Sequence, residues 1–162
     1  TPQIEVKLEM ARQVYEDALH TDALGKRLPE LRAQIASRPA NAEFVTFMNA
    51  IEDKEEWEDT IERLVGIYRM LKPHLISHYS AHVTAANPVY EPPTIRILAR
   101  MLEEEKAHVE KGLVLLDDLL DSAEAHRRAA RWQSHLEELL GAAGGVTGFA
   151  SEEEGPRKVG RS

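Results

Sequence analysis

The 162-residue chain predicts an all-α fold. Leu, Ala, Glu and Arg, residues that favour helix, dominate it. Apolar positions recur in alternating steps of three and four over long windows, and no strand-like alternation persists. Glycine and proline are sparse, nine and eight residues, and gather at a few breaks.

The first helix is expected from Ile4 to Ile35, on the stripe Met10, Val14, Asp17, Thr21, Leu24, Leu28, Leu31 and Ile35. Gly25 and Pro29 lie within it, so it either kinks there or gives way to a second helix with Pro29 in its first turn. Ser37 to Asn41 reads as a connector. A second long pattern runs from Glu43 to Ala85 with Ile61, Val65, Tyr68, Leu75 and Tyr79 on its stripe, and Pro73 should bend or break it. Ala86 to Pro93 is the strongest breaker, a connector before a helix N-capped at Thr94. That helix carries Ile95, Leu98, Leu102, Glu105, Val109, Gly112, Leu116 and Leu119. A shorter helix from Ser122 to Leu140 presents Ala125, Ala129, Trp132, Leu136 and Leu139. Residues 1–140 thus form one bundle, and 141–162, with Gly144-Gly145 and the run Glu152-Glu153-Glu154, read as a flexible tail.

Composition narrows the function. Twenty basic against 28 acidic residues give a net charge of −8, which disfavours nucleic acid, because phosphate binding calls for clustered cations. The absence of cysteine removes disulfides, thiolate metal sites and Cys nucleophiles together. No apolar run is long enough to span a bilayer, and no cationic-then-apolar leader opens the chain. A cytoplasmic protein without a membrane partner is the expectation.

Chemistry is indicated by two carboxylates on apolar stripes, where an unpaired charge is costly. Asp17 and Glu105 are each followed three residues later by histidine, and residues three apart share a helix face. With 28 acids and seven histidines, one or so acid-x-x-His pair is expected by chance. The position of both pairs on core stripes is therefore the informative feature. The row His74, His78, His82 reads as an exposed or interface face. Trp57 and Trp132 read as packing residues, and of Glu103-Glu104-Glu105 only the last should point inward.

Asp17-Ala18-Leu19-His20 and Glu105-Lys106-Ala107-His108 resemble the acid-x-x-His motifs of the ferritin-like di-iron and di-manganese carboxylate proteins. The resemblance covers about residues 4–120. It implies a ferritin-like helical bundle of long antiparallel helices, with the first helix and its Glu placed before Thr1. It also implies two iron ions, or manganese, held by Asp17, His20, Glu105 and His108. The activity implied is that of a non-haem oxidase or oxygenase acting with O₂ on a small organic molecule, in a homo-oligomer.

The family pattern further asks for a Glu facing Glu105 from the third helix. Glu105 lies about sixteen residues past a turn near residue 89, so at 1.5 Å per residue its antiparallel partner falls near residue 73. The nearest stripe position is Lys72. Lys72 and Tyr68, one turn apart, are the catalytic candidates. Lys72 is a replaced ligand or a charge that silences the site; Tyr68 is a redox-active, pocket-lining or packing side chain. Lysine in place of a ligand carboxylate goes, in this superfamily, with metal-poor or metal-free sites. The competing expectation is therefore a metal-free bundle serving binding or oligomerisation.

Overall fold

A computed structural model describes residues 3–31, 41–54 and 56–146. Ile35, residues 37–40 of the connector, the Trp57 side chain and residues 147–162 with their acidic run lie outside the described residues. All regular structure among the described residues is helical, as expected: α1 (Gln3–Glu30), α2 (Ala42–Glu52), α3 (Thr60–Leu64), α4 (Lys72–Ala85), α5 (Pro92–Leu119) and α6 (Ala123–Ala142). A 3₁₀ turn (Trp57–Asp59) precedes α3, and a π-helical segment (Val65–Leu71) joins α3 to α4. No described helix is long and apolar enough to cross a membrane.

The second long pattern divides away from its proline. The interruption falls after Glu52, and the run from Trp57 continues through Pro73 to Ala85. Pro73 has no N–H for the carbonyl four residues back, and its ring crowds that carbonyl. The turns just before it are widened to π geometry, with the Lys72 N–H donating to the Ile67 carbonyl five residues earlier. The expected break at Pro73 is thereby absorbed. In α1, Gly25 and Pro29 do not divide the helix either: Gly25 is exposed, and Pro29 sits in the final turn.

The core lies on both sides of this central run. On one side Val6, Leu64, Val65, Tyr68, Leu116, Leu120, Ala125 and Ala129 pack together; on the other, Phe47, Ile51, Met70, Leu136 and Leu140. Ile67 and Trp132 touch both clusters. The α5 and α6 stripes face the core as expected. Ser122 caps α6, its Oγ accepting from the Ala125 N–H, and the helix ends beyond Leu140 in a turn through Gly144 and Gly145 at positive φ. Ala143 is buried there, and Asn41 donates to its carbonyl.

Two local expectations are corrected. Helix α5 starts at Pro92 rather than at a Thr94 cap, because the Thr94 hydroxyl is buried and accepts from Arg27 Nε at 2.8 Å. In α1, Val14, Thr21, Leu28 and Leu31 are exposed, and the inward face is Val6, Met10, Gln13, Asp17, His20, Leu24 and Arg27. So many polar groups lie on that face that hydrophobicity does not mark it.

Close helix approach depends on glycine most tightly at Gly112. A Cβ at Gly112 would stand 2.3 Å from the ring of Tyr68. Gly112→Ala is expected to destabilise the fold by about 2 kcal/mol through overpacking. Gly25→Ala, in open space on an exposed helix face, should stabilise it by about 0.5 kcal/mol. Urea unfolding of both variants checks the contrast.

Candidate metal centre

Asp17 and His20 come from α1, Lys72 from the start of α4 just after the π segment, and Glu105 and His108 from α5. The structure brings all five together. His108 is 1% exposed, Glu105 4%, Lys72 5% and His20 7%, while the Asp17 side chain keeps 41%. Asp17, Glu105 and His108 offer ligand atoms that lie within 4.8 Å of one another.

The Lys72 ammonium sits among those atoms. Its Nζ is 2.7 Å from Glu105 Oε2, 3.1 Å from each Asp17 oxygen and 3.2 Å from His108 Nδ1. Three N–H donors thus meet two carboxylates and one imidazole, which uses the hydrogen-bonding capacity of the ammonium. Burial of so many charges is tolerable only because each faces an opposite one.

Two further acids orient the histidines. His108 Nε2 lies 2.5 Å from Glu16 Oε2, and His20 Nε2 lies 2.5 Å from Glu104 Oε2. An ionised carboxylate only accepts, so each imidazole donates from Nε2 and turns Nδ1 toward Asp17 and Glu105. The hydrogen bond from His108 holds the Glu16 carboxyl below its ordinary range, with Arg12 adding to the effect. The bond from His20 does the same for Glu104, helped by Arg100. Carboxylates that fix the outer nitrogen of an inward-facing histidine are the usual surround of a metal ligand.

The inner nitrogens differ. His108 Nδ1 accepts from Lys72, whereas His20 Nδ1 is buried with no hydrogen-bond partner. It stands 3.4 Å from Glu105 Oε1 and 3.9 Å from Asp17 Oδ1. A cleft of about 300 Å³ opens on this half of the centre. Asp17, His20, Lys72 and Glu105 line it with Met101 and Tyr79; burial, then Glu105 and Asp17, raises the Tyr79 hydroxyl pKa.

Tyr68 is not in the cluster. Its hydroxyl donates to Gln13 Oε1 at 2.9 Å, and burial pushes its pKa up to about 12. It reaches the centre only through a relay: Gln13 donates to Glu9, Arg12 bridges Glu9 and Glu16, and Glu16 holds His108. Arg12 keeps the Glu9 carboxyl down at about 2. The sequence reading passed over Gln13 and Glu16 and sent Glu104 to solvent. The available signal was a doubled acid pair: Glu16-Asp17-x-x-His20 and Glu104-Glu105-x-x-His108 place acids both three and four residues before each histidine. The His74, His78, His82 row stays apart, with His78 and His82 exposed and His74 bonded to the Met70 carbonyl.

No protein-family model, curated protein or solved structure matches this chain. Lys72→Met, which keeps the bulk and removes the charge, would leave Glu105 and half-buried Asp17 without their cation. The expected loss is about 3 kcal/mol, read by denaturant unfolding. Added Mn²⁺ should raise the melting temperature of this variant more than that of the parent.

Proposed function

We propose that this chain is a metal-binding bundle of the ferritin-like kind that acts as an O₂-dependent non-haem oxidase or oxygenase on a small organic molecule. One observation carries the reading: two carboxylates and two histidine Nδ1 atoms converge in a buried centre, and each histidine is oriented from behind by a carboxylate of the opposite helix. Carboxylate oxygen with imidazole nitrogen is a donor set suited to iron or manganese. Asp17, His20, Glu105 and His108 would hold the metal, which when bound supplies the O₂ chemistry. Glu16 and Glu104 keep the ligands in one tautomer, Lys72 balances the buried carboxylates, and the cleft beside Met101 and Tyr79 receives the substrate.

Elemental analysis after anaerobic loading with ferrous iron and desalting tests this. At least one iron per chain is expected, with an absorbance change on admitting air. Asp17→Ala should cut the bound iron at least tenfold, and His78→Ala should leave it unchanged. Equal iron in all three proteins would sink the site assignment.

A second reading is favoured by Lys72 together with the outer face of α1. Ile4, Leu8, Tyr15 and Leu19 are 59%, 67%, 65% and 45% exposed and form a stripe pointing away from the core. Ile4 and Leu19 lie equally far from its midpoint, and so do Leu8 and Tyr15. Two antiparallel copies of α1 would therefore set Ile4 against Leu19 and Leu8 against Tyr15. Under this reading the chain is a metal-free oligomerising bundle. Sedimentation should show a dimer that Leu8→Glu with Tyr15→Glu converts to monomer, and chelators should leave its melting unchanged.

A further inference from the structure

The two acid-acid-x-x-His segments lie antiparallel. Glu16 of α1 reaches His108 of α5, and Glu104 of α5 reaches His20 of α1, so an approximate two-fold axis passes between the stacked imidazoles, 6.4 Å apart. Asp17 and Glu105 lie between the two Nδ1 atoms, which gives the centre two equivalent cation positions, one beside each histidine. On the His108 side, Asp17 Oδ1 is 3.6 Å and Glu105 Oε2 3.9 Å from Nδ1. On the His20 side the corresponding distances are 3.9 Å to Asp17 Oδ1 and 3.4 Å to Glu105 Oε1.

Lys72 breaks the symmetry. It engages His108 Nδ1, Glu105 Oε2 and both Asp17 oxygens, so the His108 side already holds a cation. Glu105 Oε1 and the unpartnered Nδ1 of His20 remain for the other. We propose that the centre takes one divalent ion, not two: the ion lies on the His20 side, bound by His20 Nδ1, Glu105 Oε1 and Asp17 Oδ1, and the Lys72 ammonium is the permanent occupant of the second position. This rests on the metal-binding reading above, sets its stoichiometry and takes His108, whose Nδ1 is engaged by Lys72, out of the ligand set given there.

Two observations besides the orphaned nitrogen support this assignment. Donor atoms on one ion with bonds of about 2.1 Å lie roughly 3–4 Å apart, which is the spacing found around His20 Nδ1. The cleft is lined by His20 and not by His108, so it gives the ion and its remaining ligands an entrance on the His20 side. Lysine and metal then work as a pair of unlike cations on two shared carboxylates. The ion has an open side toward the cleft, and the ammonium, its three N–H donors taken up by Asp17, Glu105 and His108, keeps the shared carboxylates neutralised.

Titration of the full chain with Mn²⁺ tests the arrangement, using electron paramagnetic resonance, elemental analysis of desalted protein and a thermal melt to confirm folding. The parent is expected to bind one Mn²⁺ per chain with a magnetically isolated spectrum. His20→Gln should weaken it at least tenfold while His108→Gln keeps it, and Lys72→Glu should bind two ions with a coupled spectrum. Two ions in the parent would overturn the inference and leave the metal-binding reading intact. So would loss of the ion in His108→Gln but not His20→Gln. Binding that appears only in Lys72→Glu would overturn both the inference and the metal-binding reading of the parent chain. No Mn²⁺ in any folded variant would remove the metal-binding reading itself. The parent stoichiometry and His20→Gln decide the question even if the other variants fail to fold.

Discussion

The ion cluster around the Lys72 ammonium is the constraint on which the rest of the molecule is arranged. Glu105 and the two histidines are nearly sealed from water, and carboxylates there are sustainable only with a cation at hydrogen-bonding distance. Lys72 supplies that cation from the central run, to acids presented by α1 and α5. Each contact therefore ties one element to another, and the cluster fastens three helices at a single height. Because α1 otherwise meets the bundle on a face rich in polar side chains, its placement depends on this cluster more than on apolar burial.

The π-helical turns bear on the same point. A straight α-helix through Pro73 would leave the Arg69 carbonyl crowded and without its donor. Widening the preceding turns relieves that conflict, and Lys72, immediately before the proline, donates its own N–H across five residues. Within the widened segment Val65, Gly66, Tyr68 and Met70 are all buried, so the run contributes to both core clusters. The irregularity thus lies between Tyr68, whose ring rests on Gly112, and the ammonium that neutralises the centre.

Much of this was legible in residue spacing, for identifiable reasons. The stripes of α5 and α6 keep helical period, broken on α5 only by Glu105 and Gly112, so their buried faces follow from period. The acid-x-x-His pairs and the height argument for Lys72 needed only helical rise and a turn position. Less legible was the inward face of α1, because Gln13, His20 and Arg27 take places that hydrophobicity would assign to Leu or Val. Glu16 and Glu104 were missed for a related reason: an acid on the flank of a helix looks solvated until the histidine it serves, about ninety residues away in sequence, is known to lie opposite. The effect of Pro73 was misjudged because a π turn has no compositional signature.

The relation between the two histidines places the remaining question on one atom. Both rings are fixed at Nε2 by a carboxylate, and both turn Nδ1 inward, yet only one of those nitrogens is satisfied. A buried polar nitrogen without a hydrogen-bond partner costs on the order of 1–3 kcal/mol. The approximate two-fold symmetry of the acids makes Lys72, alone on its side, the source of this inequality. A bundle kept only for structure would gain by replacing His20 with an apolar residue, since that would remove both the orphaned nitrogen and the need for Glu104 behind it. The pair makes physical sense if the unpartnered nitrogen has a use, and the cleft leads to it.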